Sequence, residues 1–211
     1  MKRAGAVADS LQPAELALKY MLPDLCGNFR MGRIKYMYSD FAYIYDRLMR
    51  DVDYDAWADY IEKIFRCNKL EPSLVLDLGC GTGSFCIRMA RRGDEMIGVD
   101  RSADMLSVAA EKTRQAGVEV LYLNQDMTAF ELYGTVDAIV CLMDSINYVT
   151  HEKDLEKTFR LVCNYLNPGG VFIMDINTKY KFENVLSGNV FYNIEDNITY
   201  IWENDYNSTN G

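Results

Sequence analysis

The ten residues Leu74-Val-Leu-Asp-Leu-Gly-Cys-Gly-Thr-Gly83 limit what this chain can fold into more than any other stretch does. They read as a buried strand that runs straight into glycines spaced two apart, at 79, 81 and 83. Glycine removes every Cβ where the chain reverses from strand into helix, so a ligand can lie against bare backbone N–H groups. A dinucleotide-binding fingerprint would need its glycines at 79, 81 and 84. Position 84 is serine, and the third glycine sits at 83, which argues against a nicotinamide enzyme.

The rest of the chain supplies a sheet for that strand. Short apolar runs at Leu74–Leu78, Glu95–Val99, Val118–Leu123, Val136–Leu142 and Gly170–Asp175 alternate with helix-length intervals. Five such runs predict an α/β fold: a parallel sheet with helices on both faces. Two amphipathic helices precede the first strand, one with Phe41, Ile44, Tyr45 and Leu48 on a face, the other with Tyr54, Trp57, Ala58, Ile61, Ile64 and Phe65. Ser102 is placed to cap a helix that turns Met105, Leu106, Ala109 and Ala110 inward. A later helix carries Leu155, Phe159, Val162 and Leu166, and stops at Asn167-Pro-Gly-Gly170, where proline cannot continue it. At 211 residues, one such domain is the expectation.

The order Asp77, Gly79, Gly81, Gly83 resembles the first motif of class I S-adenosylmethionine-dependent methyltransferases, with the bacterial small-molecule enzymes the nearest in kind. The resemblance implies a Rossmann-like sheet whose glycine turn holds the methionine end of the cofactor. Asp77 suits that end, because a carboxylate stabilises the nearby ammonium and sulfonium. Gly98-Val-Asp100 ends the second strand 21 residues after Gly79, where an acid can accept from both ribose hydroxyls. By the same resemblance Met105 packs near the adenine, Asp126 accepts from its exocyclic amine, and Met127 covers the ring. Leu142, closing the fourth strand, completes this set of cofactor contacts.

Beyond Leu142, the loop Met143-Asp-Ser-Ile-Asn-Tyr148 lies at the carboxyl edge of the sheet and is expected to border the transferred methyl group. Asp144 or Tyr148 are the candidates for orienting an acceptor; alternatively Asp144 and Ser145 only cap the following helix. Tyr38-Ser-Asp-Phe-Ala-Tyr-Ile-Tyr45 resembles the family's leading helix, which folds over the cofactor as a lid, with Tyr38 and Tyr45 as candidate contacts. His151 is the only histidine and is assigned no role. Methyl transfer from a sulfonium is an in-line displacement that needs alignment and exclusion of water more than a dedicated nucleophile. A chain without a Ser/His/Asp or Cys/His constellation is compatible with it.

Composition narrows the partners. The formal net charge of -9 disfavours nucleic acid and anionic lipid, and the resemblance to the bacterial small-molecule enzymes implies a small-molecule acceptor. Two other readings stay open: a cofactor-binding domain without turnover, and an RNA methyltransferase, for which Arg88, Arg91 and Arg92 would have to build a basic groove rather than a solvated face. Six cysteines without a CxxC pair suggest reduced thiols, a cytoplasmic location and no structural metal. No apolar window approaches the length of a membrane span.

The resemblance covers residues 37–178. Residues 1–36 carry six basic against three acidic side chains and read as a weakly structured leader. Within 179–211, Val190–Ile194 and Ile198–Trp202 read as a hairpin, the start of an antiparallel flap or insertion. Since the family usually closes its sheet with further strands, the fold is expected to be C-terminally incomplete, with the fifth strand left as a sheet edge. The acceptor itself and the oligomeric state are not legible.

Overall fold

In the computed structural model, the described residues are 42–195, 198–204 and 206. Residues 42–48 form a helix, α1, followed by α2 (Tyr54–Cys67) and then by β1 (Leu74–Leu78). The chain continues as α3 (Ser84–Arg92), β2 (Glu95–Asp100), α4 (Ala103–Ala116), β3 (Leu121–Asn124) and β4 (Val136–Cys141). After a 3₁₀ turn at Ser145–Tyr148 come α5 (Glu152–Tyr165) and β5 (Leu166–Met174), then two short helical turns at Lys179–Lys181 and Phe182–Leu186. A hairpin, β6 (Val190–Glu195) and β7 (Ile198–Glu203), follows.

Five strands make one parallel sheet, as the five apolar runs predict, in the order β3-β2-β1-β4-β5; β3 begins at Leu121, three residues later than the run from Val118 suggests. β1 lies at its centre and, Asp77 apart, buries apolar side chains on both faces. Val75 points with Ala138 and Val140 toward a layer containing Ile61, Phe65, Phe85 and Met89. Leu76 and Leu78 point the other way, with Ile139 and Cys141, toward Phe130, Ile146 and Val162. Burying side chains of this size stabilises by about 1.5–3 kcal/mol each, so the central strand is strongly held. The strand order runs outward from β1 in both directions, which leaves a crevice at the carboxyl ends of β1 and β4.

The helices settle on the sheet by the faces their periodicity sets, with two adjustments. Asp53 caps α2, its Oδ1 accepting from the Ala56 amide at 2.8 Å, and Ser102 caps α4, its Oγ accepting from the Met105 amide at 3.3 Å. On α4, Val108 and Thr113 are buried with Leu106 and Ala109, while Ala110 faces outward, opposite to expectation. Thr113 is turned toward β3, where it bonds the Tyr122 hydroxyl at 2.9 Å. On α5, Thr158 and Val162 are the buried pair, and Leu166 leaves the helix to begin β5.

Asn167-Pro-Gly-Gly170 is not a loop ahead of the strand but a bulge within it. Leu166 pairs with Val136 and Val171 with Ala138, so the residues between them arch away from β4. Proline lacks the ladder donor and Gly169 takes φ +85°, both suited to an arch. The hairpin forms a sheet of its own and does not extend the main one. Among the described residues β5 is therefore paired on one side only, by β4. Arg88 and Arg92 are drawn to α2: Arg88 Nε lies 3.4 Å from Asp55 and Arg92 Nη1 lies 2.6 Å from Asp59 and 3.0 Å from Glu62. Those pairs neutralise two of the three arginines that a basic groove would need. No helix among the described residues is long and apolar enough to cross a membrane.

Candidate functional site

The three glycines of the β1–α3 turn take left-handed backbone, which residues with a Cβ rarely adopt. Gly79, Gly81 and Gly83 take φ of +80°, +53° and +71°. Their surroundings differ. A Cβ on Gly79 would come within 2.8 Å of the Ser145 Cβ, and one on Gly83 would strike the Tyr122 hydroxyl. A Cβ on Gly81 would meet nothing within 4 Å and would stand in open space.

That open space is a cleft of about 430 Å³ at the carboxyl ends of the strands. Gly79 and Gly81 form its floor, and Asp100, Arg101, Ser102 and Met105 form one wall. The loop after β3 adds Gln125, Asp126, Met127 and Thr128. Met143, Ser145 and Tyr148, from the loop after β4, close the far side with Tyr45 of α1. Seven residues singled out from sequence as cofactor contacts therefore share one cavity: Gly79, Gly81, Asp100, Met105, Asp126, Met127 and Tyr45. Of the two acceptor candidates, Tyr148 lines it as well.

Asp77, Gly83 and Leu142 lie behind the wall and not in it. The Asp77 side chain is 3 % exposed and turned into the core, where the Cys86 thiol donates to its Oδ2 at 3.2 Å. Burial pushes its carboxyl up to about 7, with the Cys86 hydrogen bond working against that rise and the Asp100 charge adding to it. Leu142 is buried beside β4, and Gly83 serves the start of α3. Tyr38 lies outside the described residues.

Asp100 is placed by two backbone amides. Its Oδ2 accepts from Gly81 N at 2.9 Å and its Oδ1 from Ser102 N at 2.8 Å, tying the end of β2 to the glycine turn. Burial raises its pKa while those two amides pull it back. Each carboxylate oxygen keeps a second lone pair, so the group can still accept from ligand hydroxyls. Asp126 is held by its own loop, with Thr128 donating through its amide at 2.8 Å and its hydroxyl at 2.7 Å. Those bonds keep its carboxyl below the ordinary value.

Asp144 neither caps the following turn nor faces the cleft. Met143 and Asp144 are both left-handed, at φ +59° and +49°, a rare state for residues with a Cβ. The Asp144 amide donates to Asp175 Oδ2 at 2.9 Å, and its Oδ2 accepts from the Asn177 amide group. Asn177 is braced in turn by Asn147 at 3.0 Å and by Lys181 at 2.5 Å. The carboxylate thus locks the loop after β4 to the loop after β5. Ser145 also caps nothing; its hydroxyl returns to the Leu142 carbonyl at 2.7 Å.

His151, given no part from sequence, lines the cleft with Val149, Thr150 and Asp154 at the start of α5. The rule that ligands sit at strand carboxyl ends marks the whole segment after β4, and following it past Tyr148 would have reached these residues.

Comparison with known proteins agrees with this geometry. A methyltransferase-domain family model matches residues 75–170, from β1 into β5. A putative methyltransferase of Geobacillus sp. (strain WCH70) is 32% identical over 166 residues, covering 78% of this chain and 67% of that protein. The crystal structure of a S-adenosylmethionine-dependent methyltransferase from Clostridium acetobutylicum ATCC 824 superimposes with TM-score 0.72 at 40% identity, over 81% of this chain and 70% of that one. The sugar N-methyltransferase KedS8 from Streptoalloteichus sp. ATCC 53650 superimposes with TM-score 0.65 at 25% identity, over 73% and 60%. The chain spans about two thirds of the length of these relatives.

Proposed function

The chain belongs to the S-adenosylmethionine-dependent methyltransferases, and from that premise we propose that it methylates a small-molecule acceptor, with the cofactor held in the β1–β4 cleft. The observation that carries this reading is the bond from Gly81 N to Asp100 Oδ2 at 2.9 Å, which joins the bare glycine turn to the β2 acid across one cavity. Gly81 also tests the fit. It lines the cleft with empty space where a Cβ would be, so a ligand can approach its backbone closely.

S-adenosylmethionine, when bound, supplies a methyl carbon activated by a sulfonium. The chain's own residues do the rest. Gly79 and Gly81 would present the turn to the methionine end, with Asp77 behind it adding a negative field when ionised. Asp100 would accept from the ribose hydroxyls and Asp126 from the adenine amine, while Met105 and Met127 would supply apolar surface for the ring. Tyr45 and Tyr148 stand at the opposite side, where they exclude water and orient the acceptor. Tyr148 is 39% exposed, so an incoming molecule can reach it, and its phenol can hydrogen-bond an amine or alcohol and orient it. The sugar substrate of the similar Streptoalloteichus enzyme supports an acceptor of this size.

Incubation of the protein and methyl-labelled S-adenosylmethionine with fractionated cell extract tests the reading. Label should enter the small-molecule fraction with release of S-adenosylhomocysteine. Label confined to RNA or protein, or cofactor binding without turnover on any fraction, would overturn it.

A further inference from the structure

The short helix α1 reaches the site through a charge cluster that no cofactor motif uses. Asp46, the residue after Tyr45, sends its carboxylate to the other side of the glycine turn. Its Oδ2 lies 2.6 Å from Lys112 Nζ of α4, and its Oδ1 accepts from Thr82 Oγ1 at 2.6 Å and from Ser84 Oγ at 3.5 Å. Lys112 Nζ donates onward to Ser84 Oγ at 2.7 Å and to Thr82 Oγ1 at 3.2 Å. Thr82 and Ser84 flank Gly83, the residue at the N-terminal cap of α3, which makes no side-chain cap of its own. A carboxylate brought in from α1 therefore stands where the positive end of α3 favours negative charge.

Partial burial gives the cluster more weight than a surface ion pair has. The Lys112 and Asp46 side chains are 26% and 33% exposed, while Thr82 and Ser84 are buried beneath them. Desolvation lowers the Lys112 pKa while the Asp46 contact raises it, the balance expected of a shielded pair. A helix spanning 42–48 is too short to be stable alone, so its position depends on tertiary contacts: the buried Ala42, Tyr45 and Met49 press it onto the core, and Asp46 adds a directional anchor. Each residue of a helix turns by about 100°. Fixing Asp46 on the glycine turn therefore also fixes the rotation of α1, and with it the direction of Tyr45, which lines the cleft.

We propose that Asp46 and Lys112 are positioning residues for the cofactor: the pair latches α1 to the glycine turn, setting Tyr45 over the cleft and holding Thr82 and Ser84 in the conformation that exposes the turn. The proposal rests on the reading of the cleft as the S-adenosylmethionine site. Neither residue lines the cleft, and each acts through its neighbours.

Calorimetric titration with S-adenosylhomocysteine, paired with melting temperature, tests it in the full chain. If removal of the latch leaves about a tenth of molecules with α1 docked, affinity falls about tenfold. Asp46→Ala and Lys112→Met should each show that loss, and the double variant should be no worse than Asp46→Ala alone. Lys112→Arg, which keeps the charge, should return to within about threefold of wild type. Thr82→Val is the milder probe if either of the first two fails to fold, and should weaken binding about two- to threefold. A purely structural role would lower the melting temperature and leave affinity within about twofold of wild type, an outcome that overturns the latch alone. Wild-type protein that binds no S-adenosylhomocysteine would overturn the latch and the cofactor reading together.

Discussion

Asp77 faces the core and not the cleft, and its influence on a bound cation is a matter of charge and not of contact. Burial raises its pKa from 3.8 to about 7 in the folded protein. The folded state therefore binds more protons than the unfolded state between those values, and stability of the unliganded protein falls as pH rises through that window. Asp77→Asn should flatten this slope, read as melting temperature against pH; an unchanged slope would assign the dependence elsewhere. Binding has the opposite sign. Between about pH 5.5 and 7 a ligand ammonium stays charged while Asp77 gains charge, so S-adenosylhomocysteine should bind more tightly as pH rises. Asp100→Ala should weaken binding by about 1–3 kcal/mol through loss of a charged acceptor, and unchanged affinity in calorimetry would remove Asp100 from the site. Gly81→Val meets a positive φ and fills the cleft floor, so it should abolish binding while the rest of the fold survives.

At the scale of elements, the sequence makes β1, β2, β4 and the glycine turn legible because each is a short apolar run bounded by an acid or by glycine. β5 is less so: Pro168 and Gly169 have the chemistry of a turn, and only the pairing of Leu166 with Val136 reveals that they sit inside a strand. The role of Asp144 is not legible at all. Its bonds go to Asp175 and Asn177, 31 and 33 residues away, and no local pattern encodes contacts of that range. For the same reason the Asp46–Lys112 pair could not be read before α1 and α4 were set on either side of the turn. The one-sided pairing of β5 among the described residues leaves an edge, and Met174 and Ile176 at its end are 42% and 54% exposed.

For the molecule as a whole, the sheet, the glycine turn and the β2 acid converge on one cavity that suits a nucleoside joined to an amino acid. The net charge of -9 and the pairing of Arg88 and Arg92 to α2 disfavour a nucleic-acid acceptor, which would call for a basic face. The glycine spacing separates it from nicotinamide enzymes, and the two cofactors give one experiment its contrast. Titration of the wild-type protein with S-adenosylmethionine and, separately, with NADH measures the central claim most directly. The expected result is saturable one-to-one binding of S-adenosylmethionine, lost in Gly81→Val and weakened in Asp100→Ala, with no heat from NADH. Saturable binding of NADH, or S-adenosylmethionine binding that survives Gly81→Val unchanged, would contradict it.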